Sequence, residues 1–527
     1  WNDAKKTWKI FPQMDFCYGT GILGSKSCSK QCIDEINVDG RKITDKDEVS
    51  EIFNEYFVNI GYNLTNNVQY SKSFDHKKLK RNDKTAFFSP VTCKEIIDIV
   101  CSLKNGTSPG YDEINVGVIK KVIHIIAPQL CSIFNSCISY GVFPTQLKLA
   151  KVIPVFKAGD VSYAKNYRPI SVLPLFSKIF EKCLYKRLND FLFSCNILSD
   201  NQYGFRSGHS ASMALLEFIH KACKAIDSKE YMVGLFLDLS KAFDTLDHYI
   251  LLSKLEDYGI RGNVLSLFKS YLLDRSQFVV INNHKSSNKQ IRCGVPQGSI
   301  LGPLLFLVYI NDIITSSKLL QFILFADDTS VFMSGSNLNM LLDTFTVELH
   351  KLNDWLLNNK LVINVDKTQF MLFTKRKVED DNLIINFNGQ AINRVSFTKF
   401  LGVYIDDRLT WHEHIGVICN RVAKGVGIIY RLRHFPRYIL IMLYYALIIP
   451  HINYCNITWS NGSDYFMTKL FKLQKKAVRL LYDAPFNAHT LPLFQQLKLL
   501  NVYDINNFNI AIFMFMYSKG LLPRSMS

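Results

Sequence analysis

Two adjacent aspartates stand in an apolar run, Gln321-Phe-Ile-Leu-Phe-Ala-Asp327-Asp328-Thr-Ser-Val-Phe332. Apolar and aromatic residues lead into the pair, and Val331 and Phe332 follow it. The pattern predicts a buried strand, a turn bearing two carboxylates, and a returning strand. Two like charges at the tip of a buried hairpin are costly unless compensated. A pair of divalent cations would compensate them, so this turn is the first candidate for chemistry. Taken alone, it could equally be an ordinary charged turn.

Holding two cations calls for a third carboxylate. Asp238 ends the run Tyr231-Met-Val-Gly-Leu-Phe-Leu237, another buried-strand signal. A lone Asp after a strand is usually a cap or turn residue, and Asp244 and Asp247 suit caps for the helical stretch 249–258. If the two strands are neighbours, Asp238, Asp327 and Asp328 converge. Such an oxygen-rich site suits two Mg²⁺, with Mn²⁺ as substitute. A third segment, Gly294-Val-Pro-Gln-Gly-Ser-Ile-Leu-Gly302, is a Gly/Pro loop ahead of an apolar helix opened by Pro303. Its glycines allow close backbone approach to a ligand, and Gln297 is held between Pro296 and Gly298. The plain alternative is a tight turn before a buried helix.

The 527 residues suffice for two or more domains, and the net charge of +17 points to a polyanionic partner, most simply nucleic acid. Eleven Lys and Arg stand between Arg408 and Arg479 against two acids, Glu413 and Asp464. The 13 cysteines, odd in number and scattered through apolar patterns, suggest free thiols in a reducing compartment. The apolar run Tyr438 to Pro450 is too short to cross a bilayer.

A helix is expected from about Asp45 to Asn59, capped by Thr44 and ended by Gly61. Thr92 and Glu95 form a capping box. Strands and helices alternate to about residue 405, and helices dominate beyond. Four apparent motifs are set aside. Gly19-Thr-Gly-Ile-Leu-Gly24 lacks the amphipathic helix a dinucleotide site needs, and Cys28 and Cys32 lack a second ligand pair for zinc. His412 and His414 read as solvated residues at a helix start capped by Thr410. The run Lys472 to Arg479 reads as a basic helix with one apolar face, carrying Leu470, Leu473, Val478 and Leu481.

The order Phe-x-Asp-x-x-x-x-Phe, Pro-Gln-Gly, Phe-Ala-Asp-Asp resembles the palm of reverse transcriptases, most closely those of non-LTR, jockey-like LINE retrotransposons. Further blocks agree in order: Ser108-Pro-Gly-Tyr-Asp112, Val152 to Asp160, Asn166-Tyr-Arg-Pro-Ile-Ser171, Gln202-Tyr-Gly-Phe-Arg206, Asn364-Val-Asp-Lys-Thr368 and Phe400-Leu-Gly402. The resemblance covers residue 90 to the C-terminus. It implies an α+β right-hand polymerase with an antiparallel palm sheet: linker and helical extension over 1–88, fingers and the start of the palm over 89–230, palm over 231–405, helical thumb and extension over 406–527. It also implies Asp238, Asp327 and Asp328 as metal ligands and Lys367 near the leaving pyrophosphate. Lys157, Arg168, Leu239, Phe243, Gln297 and Gly298 would bind the nucleotide, with Phe243 excluding a 2′-hydroxyl. Phe400, Leu401 and Gly402 would grip the primer.

The implied reaction is target-primed synthesis of DNA on RNA, with RNA template, DNA primer or target and dNTPs as partners, element RNA in a ribonucleoprotein, and no membrane. The implied location is intracellular, in cytoplasmic ribonucleoprotein and nucleus. The chain would begin in the linker that follows the endonuclease of such elements, without endonuclease, RNase H segment or zinc knuckle. The rivals are a decayed or domesticated copy that binds nucleic acid without catalysis, and an RNA-dependent RNA polymerase, which usually carries an acid where Phe243 stands.

Overall fold

The structure is a computed structural model that describes residues 33, 35–66, 81–376, 378, 383–387 and 389–526. The GxGxxG-like stretch, Cys28 and Cys32 lie outside the described residues. The chain is α+β. Its last strand is Val403–Asp406, and the described residues beyond it are helical or irregular, as the periodicity predicts.

Four strands form the central antiparallel sheet: β1 (Tyr231–Leu237), β2 (Gln321–Phe325), β3 (Asp328–Gly335) and β4 (Gln369–Phe373), in the order β4-β1-β3-β2. Their runs are apolar on both sides because both faces are covered. Val233, Leu235, Leu237, Leu324, Val331 and Leu372 enter the same core as the helices Leu301–Ile310 and Leu338–Asn358. Met232, Phe236, Ile323, Phe332 and Phe373 enter a second core with the helix Ala211–Asp227 and the C-terminal helices. Gly234 leaves room at the centre, where a β-carbon would stand 3.3 Å from the Phe373 ring and 3.5 Å from that of Phe218.

A second sheet pairs Leu149–Phe156 antiparallel with Tyr167–Val172 and parallel with Arg275–Ile281. It therefore joins chain from either side of residue 230. The helix Leu301–Ile310 is buried almost all round, and the buried carboxylate of Glu181 receives the Ile300 and Leu301 amides at its start (2.7 and 3.3 Å).

The N-terminal helix runs Lys46–Asn66, longer than expected. Asp45 takes the cap, accepting from the Glu48 amide at 2.9 Å in place of Thr44. Gly61 does not end the helix. A β-carbon there would lie 2.1 Å from the Asp244 carbonyl oxygen and 2.6 Å from Cys293 Sγ, so this glycine serves close packing. Thr92 accepts from Glu95 N (3.2 Å) as predicted, while the Glu95 carboxylate pairs with Arg187 (2.9 Å). By length and composition Val116–Tyr140 could cross a membrane, yet its Ile119, Ile123, Phe134 and Ile138 pack into the core.

At the C-terminal side, His412–Arg431 and Asp464–Tyr482 face each other through Ile415, Val422, Val426, Leu470, Ala477 and Val478. Asp406, in place of Thr410, receives the Thr410 and Trp411 amides (2.8 Å each) at the start of the first of these helices. His412 is exposed, as expected. His414 is buried, not solvated; its Nδ1 accepts from Tyr404 N at 3.3 Å, and burial lowers its pKa to about 4.

Candidate active site

The aspartates lie where the run predicts them. Phe325 pairs with Asp328 across a two-residue connection, and Ala326 takes a left-handed conformation (φ 56°) that such hairpin turns require. A loop from elsewhere supports this strained turn. Gln202 Oε1 accepts from the Ala326 and Gly204 amides (3.0 and 2.8 Å), and the Tyr203 amide donates to the Leu324 carbonyl (2.8 Å). Gly204 lies so close that a β-carbon would stand 2.3 Å from Ala326 N.

Asp238 follows β1, whose Leu237 pairs with Thr329 on β3, so it leaves the sheet beside the turn. Its carbonyl accepts from Asn364 N (2.8 Å), which anchors the short 3₁₀ turn Val365–Lys367. That turn aims Lys367 Nζ at Asp238 Oδ2, 3.5 Å away. The three predicted carboxylates are thus gathered at one end of the sheet, within electrostatic reach of one another.

Asp327 and Asp328 are exposed at the hairpin tip, though the surrounding chain desolvates their carboxylates. Desolvation raises the Asp327 pKa, with the Asp238 charge adding to it and Arg168 and Lys157 opposing. Desolvation, then the charges of Asp327 and Asp238, raise Asp328 to about 7. Among the described residues no group of three His, Cys, Asp or Glu side chains stands ready-made around a metal position. The donor chemistry nevertheless fits hard divalent cations: carboxylate oxygens crowded together, with desolvation and then neighbouring carboxylate charge raising Asp327 and Asp328.

Lys157 and Arg168 are well apart in sequence, but strand pairing brings them together. Phe156 pairs with Tyr167 and Val155 with Arg168, so Lys157 and Arg168 project from one face of the hairpin. Desolvation lowers the Lys157 ammonium, as do Lys367 and Arg168, against the pull of Asp238 and Asp327. A fourth cation joins them that the motifs do not mark. Lys241, in a left-handed conformation (φ 49°), reaches the Tyr167 carbonyl at 3.4 Å. Desolvation lowers it too; Asp244 opposes, and Lys157, Arg168 and Lys367 add repulsion. The spacing Asp238-x-x-Lys241 is the signal in the sequence that could have found it.

Phe243 stacks on Phe306 (centroids 4.6 Å, 25°), with Phe205 against its edge at 6.5 Å. Gln297 is fixed by its backbone and its side chain. Its carbonyl accepts from Ser171 N (2.8 Å), while Nε2 donates to both carboxylate oxygens of Asp244 (2.8 and 2.9 Å). Asp244 is therefore no helix cap; Asp247 alone fills that role, accepting from the Tyr249 and Ile250 amides. Gly298 (φ 124°) lies against Ser171, whose carbonyl oxygen a β-carbon would meet at 2.5 Å. Leu239 is buried in the core, so its side chain packs inward.

Phe400, Leu401 and Gly402 form a tight turn between Phe397–Phe400 and Val403–Asp406, with φ of 47° and 84° at Leu401 and Gly402. Phe400 packs against Phe236 (5.2 Å) and Leu401 is buried, while Tyr454 Oη donates to the Leu401 carbonyl (2.7 Å). Both apolar side chains pack inward, and Gly402 lies against the Tyr454 ring.

Residues 155–405 match the family described as reverse transcriptase (RNA-dependent DNA polymerase), a span that holds every carboxylate and cation of this site. Among curated relatives, the chain is 29% identical over 431 residues to the probable RNA-directed DNA polymerase from transposon BS of Drosophila melanogaster, covering 79% of this chain and 47% of the relative. It is 28% identical over 428 residues to the RNA-directed DNA polymerase from mobile element jockey of the same fly (79% and 46%). It is 25% identical over 401 residues to the retrovirus-related Pol polyprotein from type-1 retrotransposable element R1 of Bradysia coprophila (75% and 39%). The chain spans about half the length of the first two relatives. The resemblance read from the motifs and these similarities agree.

Proposed function

We propose that the chain is an RNA-directed DNA polymerase of a non-LTR retrotransposon, acting in target-primed synthesis within an intracellular ribonucleoprotein. In this reading the central sheet is the palm, the hairpin carrying Lys157 and Arg168 belongs to the fingers, and the helices after residue 406 form the thumb. The observation that carries it is the acidic turn beside Asp238, faced by Lys157, Arg168 and Lys367, with Lys241 adjoining these cations. Carboxylates opposite a cluster of cations suit a substrate that brings both a polyphosphate and divalent ions. The family match and the named relatives support the same chemistry.

Asp238, Asp327 and Asp328 would hold two Mg²⁺, or Mn²⁺ in substitution. Bound there, the ions would supply activation of the primer 3′-hydroxyl and neutralisation of the pyrophosphate. The protein's own groups do the rest. Lys157, Arg168 and Lys241 hold the triphosphate, and Phe243, backed by Phe306, forms the floor under the sugar. The primer 3′-hydroxyl gives up its proton to solvent water, and its oxygen bonds to the α-phosphorus as the α–β bridge breaks. Pyrophosphate leaves with the electron pair, met by the Lys367 ammonium. Such transfer depends mainly on positioning and charge neutralisation.

The test is primer extension on an RNA template with Mg²⁺, comparing the wild type with Asp327→Ala. Extension by the wild type alone supports the reading, and equal extension by both refutes the site. Silence from both favours a decayed copy, and a preference for rNTPs favours an RNA polymerase.

A further inference from the structure

Asp244 sits on the loop between β1 and the helix His248–Asp257 and touches two other parts of the chain. Its carboxylate receives Gln297 Nε2 on both oxygens (2.8 and 2.9 Å). The two loops are clasped by their backbones as well: Val295 N donates to the Phe243 carbonyl (2.9 Å) and Gly294 N to that of Leu246 (2.7 Å). From behind, the helix Lys46–Asn66 presses Gly61 onto the Asp244 carbonyl. The titratable groups around the carboxylate are Lys241 on its own loop, Tyr56 on that helix and Cys293 beside the Gln297 loop.

We propose that Asp244 is a positioning residue for nucleotide selection: it engages the donor end of the Gln297 amide and leaves Oε1 alone to meet the incoming nucleotide. The proposal rests on the polymerase reading above. A primary amide offers a donor nitrogen and an acceptor oxygen. Turning this one over would place Oε1 against a carboxylate with no proton between them, at the cost of a charge-assisted bond. Gln297 is thereby fixed as an acceptor and favours a nucleotide presenting a hydroxyl or N–H donor on its sugar or base. Gly61 is the third member of the arrangement, because only the absence of a β-carbon lets the helix back the Asp244 loop so closely.

The test compares the wild type, Asp244→Asn, Gln297→Ala and the double variant, all checked for folding by thermal unfolding. Two quantities are read: KM and kcat for the next dNTP on an RNA-templated primer, and retention of that dNTP on a dideoxy-terminated primer, which needs no chemistry. Each single variant is expected to raise KM and weaken retention about tenfold, with kcat within about threefold. The double variant should be no worse than Gln297→Ala alone, since Asp244 acts only through the amide. An unchanged KM in Asp244→Asn, or a double variant showing the product of both effects, overturns the proposal. If Asp244→Asn does not fold, Gly61→Ala replaces it, raising KM in the wild-type background but not in Gln297→Ala; equal effects in both backgrounds overturn the proposal. A wild type that retains the complementary dNTP but extends nothing refutes the polymerase reading and leaves the pair testable by retention. A wild type that does neither overturns both.

Discussion

Gln202 Oε1 accepts a hydrogen bond from the Ala326 amide at 3.0 Å, fastening the loop Gln202–Arg206 to the acidic turn. Ala326 has φ 56°, a conformation that a residue with a β-carbon holds only when its surroundings enforce it. The same oxygen also serves Gly204 N, whose residue leaves no room for a side chain against Ala326. The turn's geometry therefore depends on residues far away in sequence. Gly204→Ala is expected to cut extension at least about tenfold by displacing reacting groups, while the unfolding midpoint shifts by only a few degrees. Loss of activity only in proportion to loss of folded protein would reject this support role.

The shifted carboxyl of Asp328 gives a pH signature. Its folded pKa, about 7, lies above its ordinary value of 3.8, so between these values the folded chain holds a proton that the unfolded chain releases. Stability from this group is therefore fully present below about pH 4 and is lost as pH rises to 7. Asp328→Asn should raise the thermal midpoint at about pH 8 and change it little at about pH 4. Mg²⁺ should raise the wild-type midpoint more at about pH 8 than at about pH 5, where protons compete for the same oxygens. A lower midpoint for the variant at the higher pH in metal-free buffer would contradict the charge crowding.

Lys241 shows how far periodicity reaches. The strands, the acidic turn and the basic helix are legible in the sequence because each is a pattern within one stretch of chain, while the α+β class follows from the resemblance. Lys157 and Arg168 can be paired only through resemblance, and the strand register explains why they meet. Lys241, the bond between Asp244 and Gln297, and the role of Gln202 depend on how separate loops converge, which no local pattern records. Burial of Leu239, Phe400 and Leu401 escapes the motifs for a related reason: a motif places a residue near the site without saying which way its side chain points. Lys241→Ala is expected to raise KM for dNTP about tenfold with a smaller effect on kcat, as removal of one phosphate-facing cation would. An unaltered KM would leave Lys241 a purely structural residue.

Phe243 is half-buried, and its ring rests on Phe306 without being enclosed. A ring held in this way is a rigid floor. Phe243→Ala should therefore relax discrimination between dNTPs and rNTPs, raising relative rNTP incorporation at least about tenfold. The stability cost should stay below the roughly 3–5 kcal/mol of a fully buried Phe→Ala. The check is competitive incorporation on one template together with denaturant unfolding. Unchanged discrimination would make the ring simple packing.

Lys469, Lys472 and Lys476 lie at i, i+3 and i+7 on the exposed face of Asp464–Tyr482, along a groove of about 560 Å³ whose lining includes Arg479 and Phe486. The opposite face, with Leu470, Ala477 and Val478, is fully buried, so the helix does not need these lysines to fold. Changing all three to Ala should leave the thermal midpoint within about 2 °C, because exposed substitutions cost little. If the groove follows a nucleic-acid backbone, the triple variant should bind primer–template more weakly, without sequence preference. The slope of log affinity against log salt should then shrink by about one for each phosphate that a lysine no longer neutralises. Binding measured across a salt series separates the outcomes: a parallel displacement with unchanged slope would mean the lysines act on fold or packing, and no displacement would place the nucleic acid elsewhere.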